Sequence, residues 1–419
     1  MDQSIRIAII VILAVGFIVE RILDYLNSTY WSDELPDELK GIYDPEKYRK
    51  SQAYLRTKQR FSILTDSFSL MVMLLMLLTG GFAWLDNLVR EQTTHPILLA
   101  LFFFGILGLA ADLLATPFSV YSTFVIEERF GFNKTTPKTF ILDKLKGWLL
   151  GALLGGGILS LIVWIYLATG NLFWIFAWIA ISLFSVFMTM FYSTLIVPLF
   201  NKQTPLEEGE LRNAIEGFAQ KVRFRLDNIF VIDSSKRSSK SNAYFSGLGA
   251  KKRIVLFDTL IADHTTDELV AVLAHEVGHY KKKHTRTGIL LSIAQTGLTL
   301  FILSLFIQNP VLSQALGAAE GSFHMGILAF GILYSPFSTI IGLGLNYLSR
   351  KHEYEADRYA GENFSAGPLQ EALKKLSVNN LSNLRPHPAC VFVYYSHPPV
   401  LKRLEALEKI VGSTSRGTQ

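Results

Sequence analysis

The sequence predicts an α-helical integral membrane protein with about seven spanning helices and a soluble domain on one side. Three observations predict it. Half of the 419 residues are hydrophobic and only 18% are charged, against roughly 25% charged in ordinary soluble domains. Six apolar runs have the length of about 17–25 residues that a bilayer core requires. Two long polar segments interrupt those runs near the end of the chain. This composition argues against a soluble enzyme, a disordered chain or a nucleic-acid-binding arm, so nucleic acid is not an expected partner.

The first element is Ile7–Val19, which is short and ends at Glu20–Arg21. No small-residue cleavage site follows it, and apolar character resumes at Ile22–Leu23, so it reads as a first spanning helix whose end charges snorkel. The next spans are 68–85, 97–120, 147–169, 172–200, 287–306 and 323–348. Only the run 97–120 carries a charge, Asp112, which is costly in lipid and is expected to face the bundle interior or water. Gly151, Gly155, Gly156 and Gly157 suggest close helix packing.

The connections alternate in charge. The loop over about 26–65 carries Lys40, Lys47, Arg49, Lys50, Arg56, Lys58 and Arg60, and that after the third helix carries Arg129, Lys134, Lys138, Lys144 and Lys146. The opposite loops hold Arg90 alone. The positive-inside rule then puts the N-terminus outside or lumenal and both long polar segments in the cytosol. The chain divides into 1–200 (helices one to five), 201–286 (cytosolic), 287–348 (helices six and seven) and 349–419 (cytosolic). The lone Cys390 excludes an internal disulfide and any Cys-based zinc ribbon, and reads as a packing residue.

Within 201–286, Asn228–Asp233 and Arg253–Asp258 look like buried strands, with Ser241–Gly247 between them and Gly247 and Gly249 as punctuation before Lys251–Lys252. A helix follows. Thr265 and Glu268 have the capping-box spacing, and Leu269, Val272, Leu273 and Val277 line one side. On it sits His275-Glu276-Val277-Gly278-His279. Residues i and i+4 share a face, so the two imidazoles can bind one metal. Neutral His nitrogens suit zinc, and Glu276 beside them is placed to act as a general base on water. The bare motif also arises by chance; the cap and the apolar stripe favour the site.

A catalytic zinc needs a third protein ligand. His352-Glu353-Tyr354-Glu355-Ala356-Asp357 offers candidates just after the last span. Glu353 and Asp357 share a helix face, while Glu355 points about 200° away. One model has Glu353 as ligand and Asp357 accepting an N–H from a ligand His. The other is a solvated acidic face paired with Arg350, Lys351 and Arg358, and spacing alone does not separate them. His284, after Lys281-Lys282-Lys283, reads as part of a cytosolic membrane-edge anchor. The tail 412–419 is polar and reads as disordered.

These motifs, with Ser241-Asn242-Ala243-Tyr244-Phe245, Arg253–Leu260 and Tyr395-Ser396-His397-Pro398-Pro399 followed by Arg403, closely resemble the CAAX prenyl protease 1 family. The resemblance covers nearly the whole chain. It implies seven helices around a water-filled chamber and one Zn2+ held by His275, His279 and Glu353. It implies Glu276 as the base, Asp357 behind a ligand His, His397 and Arg403 at the oxyanion, and Asn242, Ala243 and Tyr244 on an edge strand that pairs with substrate. The implied partners are a bilayer and a prenylated or membrane-associated protein cut near its C-terminus. The implied place is the endoplasmic reticulum membrane of a eukaryote, or the inner membrane of a bacterium, with the site facing the cytosol. Two rival readings are an HtpX-like quality-control protease and a seven-helix receptor or transporter carrying the motif by accident.

Overall fold

A computed structural model describes residues 2–225, 229–247 and 253–416. In chain order its helices are α1 (Asp2–Ser28), α2 (Pro45–Leu78), α3 (Gly81–Arg90), α4 (Pro96–Tyr121), α5 (Pro137–Leu150), α6 (Gly156–Thr169), α7 (Phe173–Leu195) and α8 (Val197–Phe200). Then come β1 (Gln203–Pro205), α9 (Glu210–Lys221), β2 (Ile229–Ile232), β3 (Ala243–Ser246), β4 (Arg253–Phe257), α10 (Asp258–Asp263) and α11 (Thr266–Lys281). The chain ends with α12 (His284–Phe306), α13 (Val311–Ala315), α14 (Phe323–Ala360), α15 (Ala366–Asn379), α16 (Pro388–Tyr394) and α17 (Val400–Arg416).

Five continuous helical stretches are long and apolar enough to cross a membrane: 45–78, 96–127, 137–200, 284–306 and 323–379. The stretch 137–200 folds back at Gly170, whose φ is +53°, and so supplies two helices. With α1 they form the expected seven-helix frame. Only 6–17% of each stretch's most apolar window is buried. The apolar faces left open are those that a bilayer would cover. Where they do meet, the contact is specific. A Cβ on Gly297 of α12 would lie 2.9 Å from the Trp178 ring of α7, and the Trp178 indole N–H donates to the Ile293 carbonyl at 2.8 Å.

Several boundaries differ from the sequence reading. The basic segment expected as a loop over 26–65 is helical from Pro45, because Asp44 caps that helix by accepting from the Glu46 and Lys47 N–H groups and Pro45 suits the first turn. The span expected over 68–85 breaks at Gly80, where φ is +75°, and α3 packs separately through Phe82, Leu85 and Val89. The glycines 151, 155 and 157 face open space; residues 151–155 form a wide π turn, and a Cβ on Gly156 alone would touch Leu101. Asp112 is met within the helical frame by Lys144 at 2.7 Å and the Trp148 indole at 2.9 Å. Gly249, Lys251 and Lys252 lie outside the described residues. Of the tail read as disordered, 412–416 continue α17, and 417–419 lie outside the described residues.

The soluble layer has a four-stranded sheet in the order β1-β2-β4-β3. β2 and β4 are parallel; β1 and β3 are antiparallel to their neighbours. β3 is therefore an edge strand. The sheet, α9, α11, α15 and α17 share one core, built on Ile215, Leu256, Leu269, Leu273, Val277 and Leu407.

Candidate metal centre

Helix α11 begins as its sequence dictates. The Glu268 N–H donates to Thr265 Oγ1, and the Thr265 N–H donates to Glu268 Oε2 at 3.0 Å. Leu269, Leu273 and Val277 enter the core, which turns His275, Glu276 and His279 to a cavity of about 780 Å³. Helix α14 runs without a break from the membrane past Ala356, carrying Glu353 and Asp357 against α11. Gly278 permits that approach. A Cβ there would lie 3.1 Å from the Ala356 Cα and carbonyl oxygen and 3.1 Å from the Tyr359 Cβ.

His275 Nε2 and His279 Nε2 lie 3.1 Å apart. Glu353 Oε1 lies 3.2 Å from His279 Nε2, and Glu353 Oε2 lies 3.5 Å from His275 Nε2. Four-coordinate zinc with bonds of about 2.0–2.1 Å sets its ligand atoms about 3.3–3.4 Å apart. The observed spacings fit that polyhedron. These three residues offer ligand atoms that all lie within 4.8 Å of one another. Glu353 Oε2 is buried and makes no hydrogen bond among the described residues; its charge is offset by the Arg403 guanidinium beside it, which leaves the oxygen's lone pairs open to a metal. Glu353 is 4% exposed and Asp357 1%, so the solvated acidic face is excluded.

Asp357 Oδ1 lies 2.9 Å from His275 Nδ1. Arg403 donates to both Asp357 oxygens, at 2.8 and 2.6 Å, and its Nη1 lies 3.3 Å from Glu353 Oε2. The guanidinium is thus largely buried beside the cluster, and it also lines the cavity. His397 is the opposite case: its side chain is 63% exposed, and its Nε2 lies 3.3 Å from Glu353 Oε1. Burial acts to lower the His279 pKa, but the Glu353 and Glu276 carboxylates outweigh it and raise the value.

Asn242, Ala243 and Phe245 line the same cavity. Tyr244 points the other way, with its hydroxyl 3.5 Å from Ser193 Oγ and from Gln203 Nε2. His284 departs from the sequence reading. It is buried, with Nδ1 3.0 Å from His279 Nδ1 and Nε2 3.0 Å from Glu355 Oε2. The signal available in sequence was its five-residue separation from His279, which ordinary helix spacing does not connect.

Two histidines and a carboxylate, facing a cavity beneath a helical membrane frame, define a membrane-embedded metallopeptidase. The comparisons agree. Residues 25–202 match the model described as CAAX prenyl protease N-terminal, five membrane helices, and 205–411 match peptidase family M48. CAAX prenyl protease 1 of Saccharomyces cerevisiae is 35% identical over 94% of this chain and 93% of its own. The homolog of Homo sapiens is 33% identical over 89% and 88%. The crystal structure of S. mikatae Ste24p superposes with a TM-score of 0.90 at 35% identity, covering 96% of this chain and 99% of that one. The chain belongs to the CAAX prenyl protease 1 family of M48 peptidases. It is a multi-pass membrane protease.

Proposed function

We propose that this protease removes the C-terminal tripeptide from proteins whose C-a-a-X cysteine is prenylated. It works on the cytosolic face of a membrane, which in a eukaryote is the endoplasmic reticulum. The observation that supports this most is the continuity of the site cavity. It runs from the edge strand at Ala243 and Phe245 to Leu291 of α12 and Leu345 of α14. A lipidated peptide needs such a path, because its prenyl group prefers apolar surroundings while its peptide needs water and metal. In this reading 201–286 and 349–419 form the catalytic domain, and 1–200 and 287–348 form the membrane part.

His275, His279 and Glu353 hold zinc. Bound zinc would supply a Lewis acid that polarises a carbonyl and brings the pKa of water to about 7. Glu276 takes the proton from the attacking water and delivers it to the leaving amine. His397, exposed beside Glu353, donates to the oxyanion as it develops. Arg403, hydrogen-bonded to Asp357 and ion-paired with Glu353, holds the ligands and faces the cavity beside the oxyanion position. Asn242, Ala243 and Tyr244 present backbone groups to an extended substrate, and the Tyr244 side chain takes no part.

The test uses purified protein, a farnesylated C-a-a-X peptide and mass spectrometry of the products. Loss of the last three residues, abolished by Glu276→Ala and slowed by His397→Ala with zinc retained, supports the proposal. Zinc-dependent cleavage of unmodified extended chains alone, with the prenylated peptide intact, moves the reading to quality control.

A further inference from the structure

We propose that His284 and Glu355 form a hydrogen-bonded relay that fixes the tautomer of His279, so that both are positioning residues for the metal. The proposal rests on the zinc reading above. Glu355 Oε2 lies 3.0 Å from His284 Nε2, and His284 Nδ1 lies 3.0 Å from His279 Nδ1. An ionised carboxylate only accepts, so His284 Nε2 carries a proton. A neutral His284 then has a bare Nδ1. Two ring nitrogens at this separation share one proton, so His279 Nδ1 supplies it. His279 Nε2 is left with its lone pair facing the metal position that it would share with His275 Nε2 and Glu353. With His284 neutral, this is the tautomer pair that satisfies both hydrogen bonds.

The backbone is shaped for this contact. Lys283, between α11 and α12, has φ +63°, a left-handed conformation that a lysine keeps only where its surroundings hold it. That turn brings the first residue of α12 back onto the last turn of α11. The His284 ring lies flat against His352, with centroids 3.9 Å apart and planes 9° apart. Its side chain is 6% exposed. The three acidic residues of α14 then divide the work. Glu353 meets the metal position, Asp357 meets His275 directly, and Glu355, on the other face, reaches His279 through His284. A ligand imidazole with its outer nitrogen hydrogen-bonded is held in orientation and made more basic.

The test measures the zinc dissociation constant of the full-length protein in detergent by competition with a chromophoric chelator at fixed pH. His284→Phe keeps a flat ring on His352 but removes both nitrogens. His284→Asn places an amide oxygen near the Nδ1 position, where it still accepts from His279. Glu355→Ala removes the terminal acceptor at a partly exposed position, and Glu355→Gln restores an acceptor. We expect His284→Phe and Glu355→Ala to weaken zinc about 10–100-fold, the usual cost of losing such an outer partner. His284→Asn and Glu355→Gln should recover most of that loss. Wild-type affinity in His284→Phe would overturn the relay, as would His284→Asn binding as weakly as His284→Phe. His279→Ala separates the two levels: if it binds zinc as well as wild type, the zinc reading itself fails and the relay with it.

Discussion

Asp357 and Arg403 form a two-bond clasp, Nε to Oδ2 at 2.8 Å and Nη2 to Oδ1 at 2.6 Å, and the same Oδ1 lies 2.9 Å from His275 Nδ1. The clasp joins three helices, α11, α14 and α17. It fixes one face of the candidate ligand His275 from behind, while the other face looks onto Glu353 and His279. In the proposed site the carboxylate orients His275 and leaves the metal to Glu353.

Asp357→Ala removes the acceptor from His275 Nδ1. We expect zinc affinity to fall about 10–100-fold, read by chelator competition. Retention of wild-type affinity would mean that His275 is oriented by something else.

Arg403→Ala leaves the Asp357 charge buried without its partner. Breaking a buried pair in this way costs about 3–5 kcal/mol, which denaturant unfolding in detergent should register. Arg403→Lys should recover only part, because an ammonium does not reproduce two parallel bonds from one planar group. Equal stability of Lys and Arg at this position would remove the two-bond geometry from the account.

Gly278→Ala should push α14 away from α11 and carry Glu353 with it. The backbone atoms of Ala356, at 3.1 Å from the added Cβ, do not yield as a side-chain tip would. Overpacking costs about 1–3 kcal/mol, and zinc affinity should drop with it. Gly217→Ala, on the open side of α9 with nothing within 4 Å, is the control and should be neutral or stabilising.

Glu268 gives a pH dependence. Burial acts to raise its carboxyl pKa, but Lys375 at 2.8 Å and the Thr265 N–H outweigh burial and lower it. A depressed folded pKa contributes stability above the unfolded-chain value, near about 4.3, and loses it as pH falls through the lower folded value. The stability gap between wild type and Glu268→Gln should thus be open at neutral pH and close below about pH 4. A gap that widens on acidification would reverse the sign.

Much of this was legible in the sequence because it is local. The capping box at Thr265 and Glu268, the apolar stripe through Leu269, Leu273 and Val277, and the His275–His279 pair all follow from helical period. Glu353 and Asp357 share a face for the same reason, yet spacing did not tell a ligand set from a solvated surface; burial against α11 removes the second. Contacts between distant segments left no local signal. His284 read as a membrane-edge anchor, because its contacts depend on a left-handed Lys283 and on Glu355 seventy-one residues further on. The resemblance implied Arg403 near the oxyanion, but its two-bond pairing with Asp357, forty-six residues away, has no local signal. The polar first half of α2 read as loop because amphipathic pattern there is weak, and the Asp44–Pro45 start was the only cue.

The most direct test of the central claim is zinc content per chain, measured by elemental mass spectrometry on wild type and on His275→Ala, Glu353→Ala and Glu276→Ala. We expect about one zinc in wild type and in Glu276→Ala, whose side chain is not a ligand, and little in the other two. A full zinc complement in His275→Ala or Glu353→Ala would contradict the site described here.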